Sequence, residues 1–443
     1  MRRQLLPAVS LATISAVLVS FGIQALLVVS GVLAARILGP EDRGYLALLA
    51  LSPIILSELG NLGLPLAITY HTARDRTHAA AIARSSVRPF LLQLVVLTAV
   101  HAIIVAVLLG GQPRPVCTAG LFTLMAVPAS LAQRYGLAIM QGQQRFAAFN
   151  ILRLLPVALY AGAIAAFFVV GNGELPLVAL AWAASNLTVG AATLGLAAWG
   201  ALASPLRGRA DVRAPSLGNM LRFGLKGFLG SVSPVETLRV DQAVVGLFLS
   251  PTALGLYVVA LAFTNLPRFV AQSVGMVAYP SVASHTDEAA ARRSMWAFFW
   301  ATVAMSTAIV IPLLLMSGWL VPLFFGDQFR EAARVTQILL PGTLFAGAGR
   351  VLSDALKGRG HPTAGTLAEV ATWLWLAPAL ALAVPLWGVN GVALSLSTSY
   401  VVSFSVLLCL AVAHGEVRFP SKVALSPRGA WHRLRLLATP RLP

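Results

Sequence analysis

Long apolar runs, each closed by charge, proline or glycine, follow one another along the chain. They predict membrane-spanning helices near 8–35, 45–70, 89–111, 116–140, 154–171 and 176–203, then near 223–249, 253–282, 295–316, 335–356, 364–386 and 389–413. A bilayer-spanning helix needs about 20 consecutive apolar residues, and the runs have that length. They are apolar on all sides, whereas the strands of a membrane barrel alternate over about 10 residues. Arg2 and Arg3 precede a first run longer than the roughly 7–15 apolar residues of a signal peptide, so this run is read as the first span. The expected fold is an all-α polytopic membrane protein of about 12 transmembrane helices.

Composition agrees. Hydrophobic residues make up 58% of the 443 and charged residues 11%, against roughly 25% charged in soluble proteins. Basic residues outnumber acidic ones by 32 to 15. In a soluble protein that excess would suggest nucleic acid, but here it forms no stripe and sits in short loops, as Lys and Arg do on the cytoplasmic side of membrane proteins. With the N-terminus inside, 23 of the 32 fall on the cytoplasmic side, 5 outside and 4 within spans. Both termini are therefore expected in the cytoplasm.

The most polar connection, Ala203 to Arg222, carries Pro205, Gly208 and Pro215 and divides the chain into two six-helix bundles. The expected organisation is 1–205 for the first bundle, 206–222 for a cytoplasmic linker, 223–416 for the second bundle and 417–443 for a basic cytoplasmic tail. The halves repeat each other. Leu38, Pro40 and Gly44 match Leu249, Pro251 and Gly255 at a constant offset of 211. Six spans restore the starting direction, so the repeats run parallel, an arrangement of transporters that bind substrate between their halves.

Four segments carry a family resemblance. Ala34-Ala35-Arg36-Ile37-Leu38-Gly39-Pro40 with Gly44-Tyr45 resembles the end of the first helix in bacterial polysaccharide transporters. Glu58-Leu59-Gly60 with Gly63-Leu64-Pro65 resembles the acidic element of their second helix. Arg239-Val240-Asp241, Gly246, Leu249-Ser250-Pro251 and Gly255-Leu256-Tyr257 resemble the join of their helices 7 and 8, and Phe324-Phe325-Gly326 resembles the loop after helix 9. The family is the polysaccharide-transporter branch of the MOP superfamily, which holds O-antigen and lipid-linked oligosaccharide flippases beside the MATE drug exporters. The resemblance implies a flippase of the bacterial plasma membrane. Its implied partners are a polyprenyl-pyrophosphate-linked oligosaccharide, membrane lipids and other proteins of polysaccharide assembly.

Ionisable groups inside a bilayer cost roughly 2.5–3.5 kcal/mol each on insertion scales and normally face a bundle interior or an aqueous cavity. Arg239, Arg268, Arg134 and Arg350 are candidates for a cationic cavity, because guanidinium matches phosphate oxygens bidentately. Glu58, followed by Gly60, Asn61 and Gly63, is a further cavity candidate. Glu236, Asp241 and Glu369 are candidates for ion coupling or for locking helices together. Read as one continuous seventh helix, Glu236 and Arg239 would share a face, and Asp241 would lie about 200° round from Arg239. Asp354, beside Lys357, is expected to snorkel, and His101 to be a packing residue.

The chain has no G-x-x-x-x-G-K-[ST], H-E-x-x-H or G-x-S-x-G element, and Cys117 and Cys409 cannot build a thiolate cluster. No enzyme activity, cofactor, metal or nucleic-acid partner is expected. Against the flippase stand two alternatives: a MATE-type exporter of small cations, which would favour an acidic cavity, and a membrane enzyme or scaffold of polysaccharide assembly.

Overall fold

The computed structural model describes residues 5–75, 79–202, 216–229, 233, 235, 237–283, 285, 287–361 and 363–416, and the regular elements among them are helices. The first half holds α1 (Leu5–Gly60), α2 (Leu64–Arg74), α3 (Ala79–Leu108), α4 (Arg114–Thr123), α5 (Ala126–Gly142), α6 (Phe146–Val170) and α7 (Leu175–Leu202). The second holds α8 (Leu217–Leu229), α9 (Val240–Phe248), α10 (Pro251–Ala283), α11 (Glu288–Phe325), α12 (Ala332–Gly358) and α13 (Thr363–Ala413).

Nine helical stretches among the described residues are long and apolar enough to cross a bilayer, and two of them contain two crossings. Gly39 (φ 74, ψ 177) interrupts α1. Ser15, before it, receives a hydrogen bond from Asn150, and Glu58, after it, pairs with Arg134. Asn150 and Arg134 flank the same α5–α6 turn, so the two arms of α1 run in opposite directions. Gly39 takes a φ that costs other residues energy, and Pro40 then opens the second arm, where a missing N–H is harmless. Gly388 (φ 53, ψ −130) divides α13 in the same way. Trp375 on one arm donates to Thr398 on the other at 3.0 Å.

With the second arm of α1 and α2, α4–α5, and α8–α9 each taken as one broken crossing, twelve spans result, six in each half. Asp75 at the end of α2, residues 143–145 between α5 and α6, and residues 359–361 after α12 mark the linker end, where α7 also ends and α8 begins. Gly39, residues 249–250 and Gly388 mark the far end.

The seventh span departs from the continuous helix expected over 223–249. It breaks between α8 and α9, and Arg239 stands in left-handed conformation (φ 47, ψ 44). Gly230 and Pro234 in that stretch are the weakest helix formers. Glu236 and the stretch 203–215 lie outside the described residues, as does the tail from 417. The face-sharing geometry that a continuous helix implied for Glu236, Arg239 and Asp241 is thereby withdrawn, since Arg239 is not in a helix.

Lipid tails are as apolar as the helices, so close packing holds such bundles together. Met220 of α8 is fully buried with Ile68 of α2 and Tyr135 of α5 in a first-half core, and Phe223 stacks on Tyr70 with ring centroids 4.4 Å apart. Thus α8 docks on the first half while α9 joins the second. The packing reading of His101 holds. It is fully buried, its Nε2 reaches the Thr123 carbonyl at 3.1 Å where α4 ends, and its Nδ1 lies 3.1 Å from the Ser52 hydroxyl. A carbonyl partner puts the proton on Nε2 and leaves Nδ1 to accept.

Candidate functional site

A cavity of about 480 Å³ opens between the first arm of α1 and the second-half helices α9, α10 and α12. Its charged wall residues are Arg43, Arg239, Asp241, Arg268 and Arg350, four arginines against one aspartate. Gln24, Gln242, Asn265 and Gln272 add neutral hydrogen-bonding groups.

Helix geometry sets their depths. At 1.5 Å per residue, Arg43 lies about 6 Å from the far end, Arg239 about 15 Å, and Arg268 and Arg350 about 26 Å. The arginines therefore line most of the roughly 30 Å hydrocarbon thickness as a ladder.

The break before α9 puts two of these groups in place. Arg239 is one of three non-glycine residues with positive φ among those described, a conformation costing about 1–3 kcal/mol that surrounding structure must enforce. It occupies the N-cap position of α9, and Asp241 lies in the first turn, where a helix favours negative charge. Asp241 is 2% exposed and accepts a 2.8 Å hydrogen bond from the Tyr257 hydroxyl. Its Oδ1 has no hydrogen-bond partner, and Arg239 and Arg268 are the cations acting on it. Arg350 is held from below: its Nε lies 3.3 Å from Asp354, whose other oxygen receives Lys357 at 3.1 Å. Asp354, expected to snorkel, is thus paired with both Arg350 and Lys357.

The structure thus brings together Arg239, Arg268, Arg350 and Asp241. It separates Arg134 and Glu58, which form an ion pair between α5 and the second arm of α1 and do not line the cavity. Each is about a third exposed. Such a pair is worth about 1 kcal/mol or less, and a double-mutant cycle of Arg134→Ala with Glu58→Gln, read in thermal melts, is expected to return that small coupling. Glu369, half-buried on α13, also lies away from the cavity wall.

Arg43 is the charged cavity residue that sequence reading missed. The apolar-run boundaries left it in an outer loop, yet α1 resumes at Pro40 and carries Arg43 in its first turn, with its Nε buried and lacking a hydrogen-bond partner. The preference of proline for the first helical position was the signal. Among the described residues no three His, Cys, Asp or Glu side chains gather as metal ligands.

Twelve spans in two six-helix bundles around a polar cavity give this chain the fold seen in solved MOP-superfamily structures. The chain resembles the lipid II flippase MurJ in an inward closed conformation (TM-score 0.70, 13% identity, 97% of this chain and 94% of that one). It also resembles an inward-facing multidrug resistance MATE transporter of the MOP superfamily (0.67, 15%, 88% and 94%) and a mutant of the Vibrio cholerae MATE transporter VcmN (0.61, 11%, 92% and 96%). No curated protein matches the chain by sequence. The model of the polysaccharide biosynthesis protein family matches residues 32–334, most of the chain, and the protein belongs to that family.

Proposed function

We propose that this protein is a flippase that carries a lipid-linked oligosaccharide across the bacterial plasma membrane by alternating access, its linker end and both termini in the cytoplasm. The observation that carries this reading is the arginine-walled cavity between two bundles, in a chain of a polysaccharide biosynthesis family. A volume near 480 Å³ is in the range of small-molecule sites. It suits the anionic headgroup of such a lipid and leaves the polyprenyl chain to the bilayer. Guanidinium forks at several depths offer the pyrophosphate a succession of bidentate partners, and the glutamine and asparagine side chains offer hydrogen bonds to sugar hydroxyls. Four arginines against one aspartate oppose the binding of an organic cation, which sets the MATE-type alternative back. The basic excess at the linker end supports the cytoplasmic orientation.

Deletion of the gene is the direct test. The lipid-linked precursor is expected to accumulate on the cytoplasmic leaflet with its assembling enzymes intact, as read by leaflet-selective labelling of extracted lipid. Absence of the precursor would instead make this an assembly enzyme and overturn the flippase reading.

A further inference from the structure

The repeated Leu-x-Pro-x-x-x-Gly motif meets its own copy at the far end. A Cβ placed on Gly44 would stand 1.7 Å from the carbonyl oxygen of Pro251, and one placed on Gly255 would stand 1.9 Å from the carbonyl oxygen of Pro40. Each repeat's glycine thus receives the other repeat's proline carbonyl, and no larger residue fits at either position. The crossing is reciprocal, as two copies of one motif related by an axis along the membrane normal require.

Two further contacts close the same end. Arg36, from the first arm of α1, donates from Nε to the Phe324 carbonyl at 2.6 Å and from Nη2 to the Leu323 carbonyl. Those carbonyls belong to the last turn of α11, which leaves its final C=O groups without helical partners and favours a cation. Beneath this contact, Val32 and Ala35 pack on Leu256, Val259 and Phe325 in an apolar layer. Arg43 and Phe325 then begin the cavity wall.

We propose that this glycine–proline crossing is the far-end gate of the transport path and that Arg36 is its latch. The proposal rests on the alternating-access reading, since a gate matters only if the cavity must open at that end. The crossing joins backbone to backbone through small residues and weak Cα–H···O contacts, so it closes flush and parts without any side chain having to unpack. Arg36 reaches from one half to the other at the rim and adds the directional bonds that the crossing lacks.

The test uses the full chain carrying Cys117→Ala, Cys409→Ala and a reporter, Asn265→Cys, in the cavity wall. A membrane-impermeant maleimide is applied from either side in vesicles of defined orientation. The parent is expected to label from the linker side and at least tenfold more slowly from the far side. Gly44→Ala and Gly255→Ala are expected to raise far-side labelling at least tenfold, and Arg36→Gln severalfold, with Arg36→Lys close to the parent. Should the glycine variants fail to accumulate, Arg36→Gln decides, because this exposed side chain leaves the helix packing intact when shortened. Far-side labelling unchanged by Arg36→Gln at parental abundance overturns the latch, and unchanged labelling in accumulating glycine variants overturns the crossing as gate. A parent that labels equally from both sides also overturns the gate. A reporter silent from both sides in every variant overturns the alternating-access reading itself.

Discussion

Arg268→Ala is expected to lower transport of the lipid-linked precursor roughly ten- to hundredfold while leaving its membrane abundance unchanged, with Arg239→Ala close behind. A hydrogen bond to a charged group contributes about 1.5–3 kcal/mol, and each 1.4 kcal/mol is about a factor of ten. Lysine keeps the charge and loses the planar fork, so Arg268→Lys is expected between wild type and alanine. The competing role is helix locking, because Arg239 and Arg268 both act on buried Asp241. Removing one partner of a buried ionic group costs about 3–5 kcal/mol. In that case Arg268→Ala would reduce folded protein, and adding Asp241→Asn would partly restore it. Transport per folded molecule, measured beside abundance, separates the two. Normal transport at normal abundance in both alanine variants would remove these arginines from the mechanism.

The spans were legible because apolar run length is a one-dimensional property. So was the repeat: an offset of 211 between Pro40 and Pro251 identified the two segments that the fold crosses. The break of the seventh span was not, because Val235, Leu238 and Val240 keep the stretch apolar while Arg239 adopts a left-handed φ that its residue type does not announce. Glu58, central in an apolar run of 45–70, pairs away from the cavity. Its partner Arg134 is 76 residues away, a pairing that periodicity has no means to express. Charges inside spans could be found from sequence, and their partners could not.

Glu416→Ala is expected to be the most destabilising single change outside the cavity, by about 3–5 kcal/mol, because it leaves buried arginine charge uncompensated. Glu416 is 2% exposed where α13 ends, beyond the last span, and receives Arg359 Nε at 2.7 Å while Arg292 Nε lies 3.6 Å from its other oxygen. Its backbone carbonyl accepts the Trp296 indole N–H at 3.0 Å. One residue thereby joins α11, the turn after α12 and the end of α13. Glu416→Gln keeps the shape and one acceptor, so a smaller loss is expected, and Arg359→Met and Arg292→Met with Glu416→Leu should recover much of the alanine deficit by removing all three charges. The seam should also weaken in acid. His361, outside the spans, lies against His414 with the rings tilted and their centroids 3.9 Å apart, and burial first, then the neighbouring His414, holds its pKa below the ordinary 6.5. With the folded pKa depressed, the unfolded chain binds the proton more readily as pH falls below about 6.5, so stability should decline from there toward the lower folded pKa. Thermal melts between pH 7.5 and 5.5, compared with those of His361→Gln, test this. A wild-type profile no steeper than that of His361→Gln would assign the acid sensitivity elsewhere, and a Glu416→Ala melt equal to wild type would show that the three elements are held without this carboxylate.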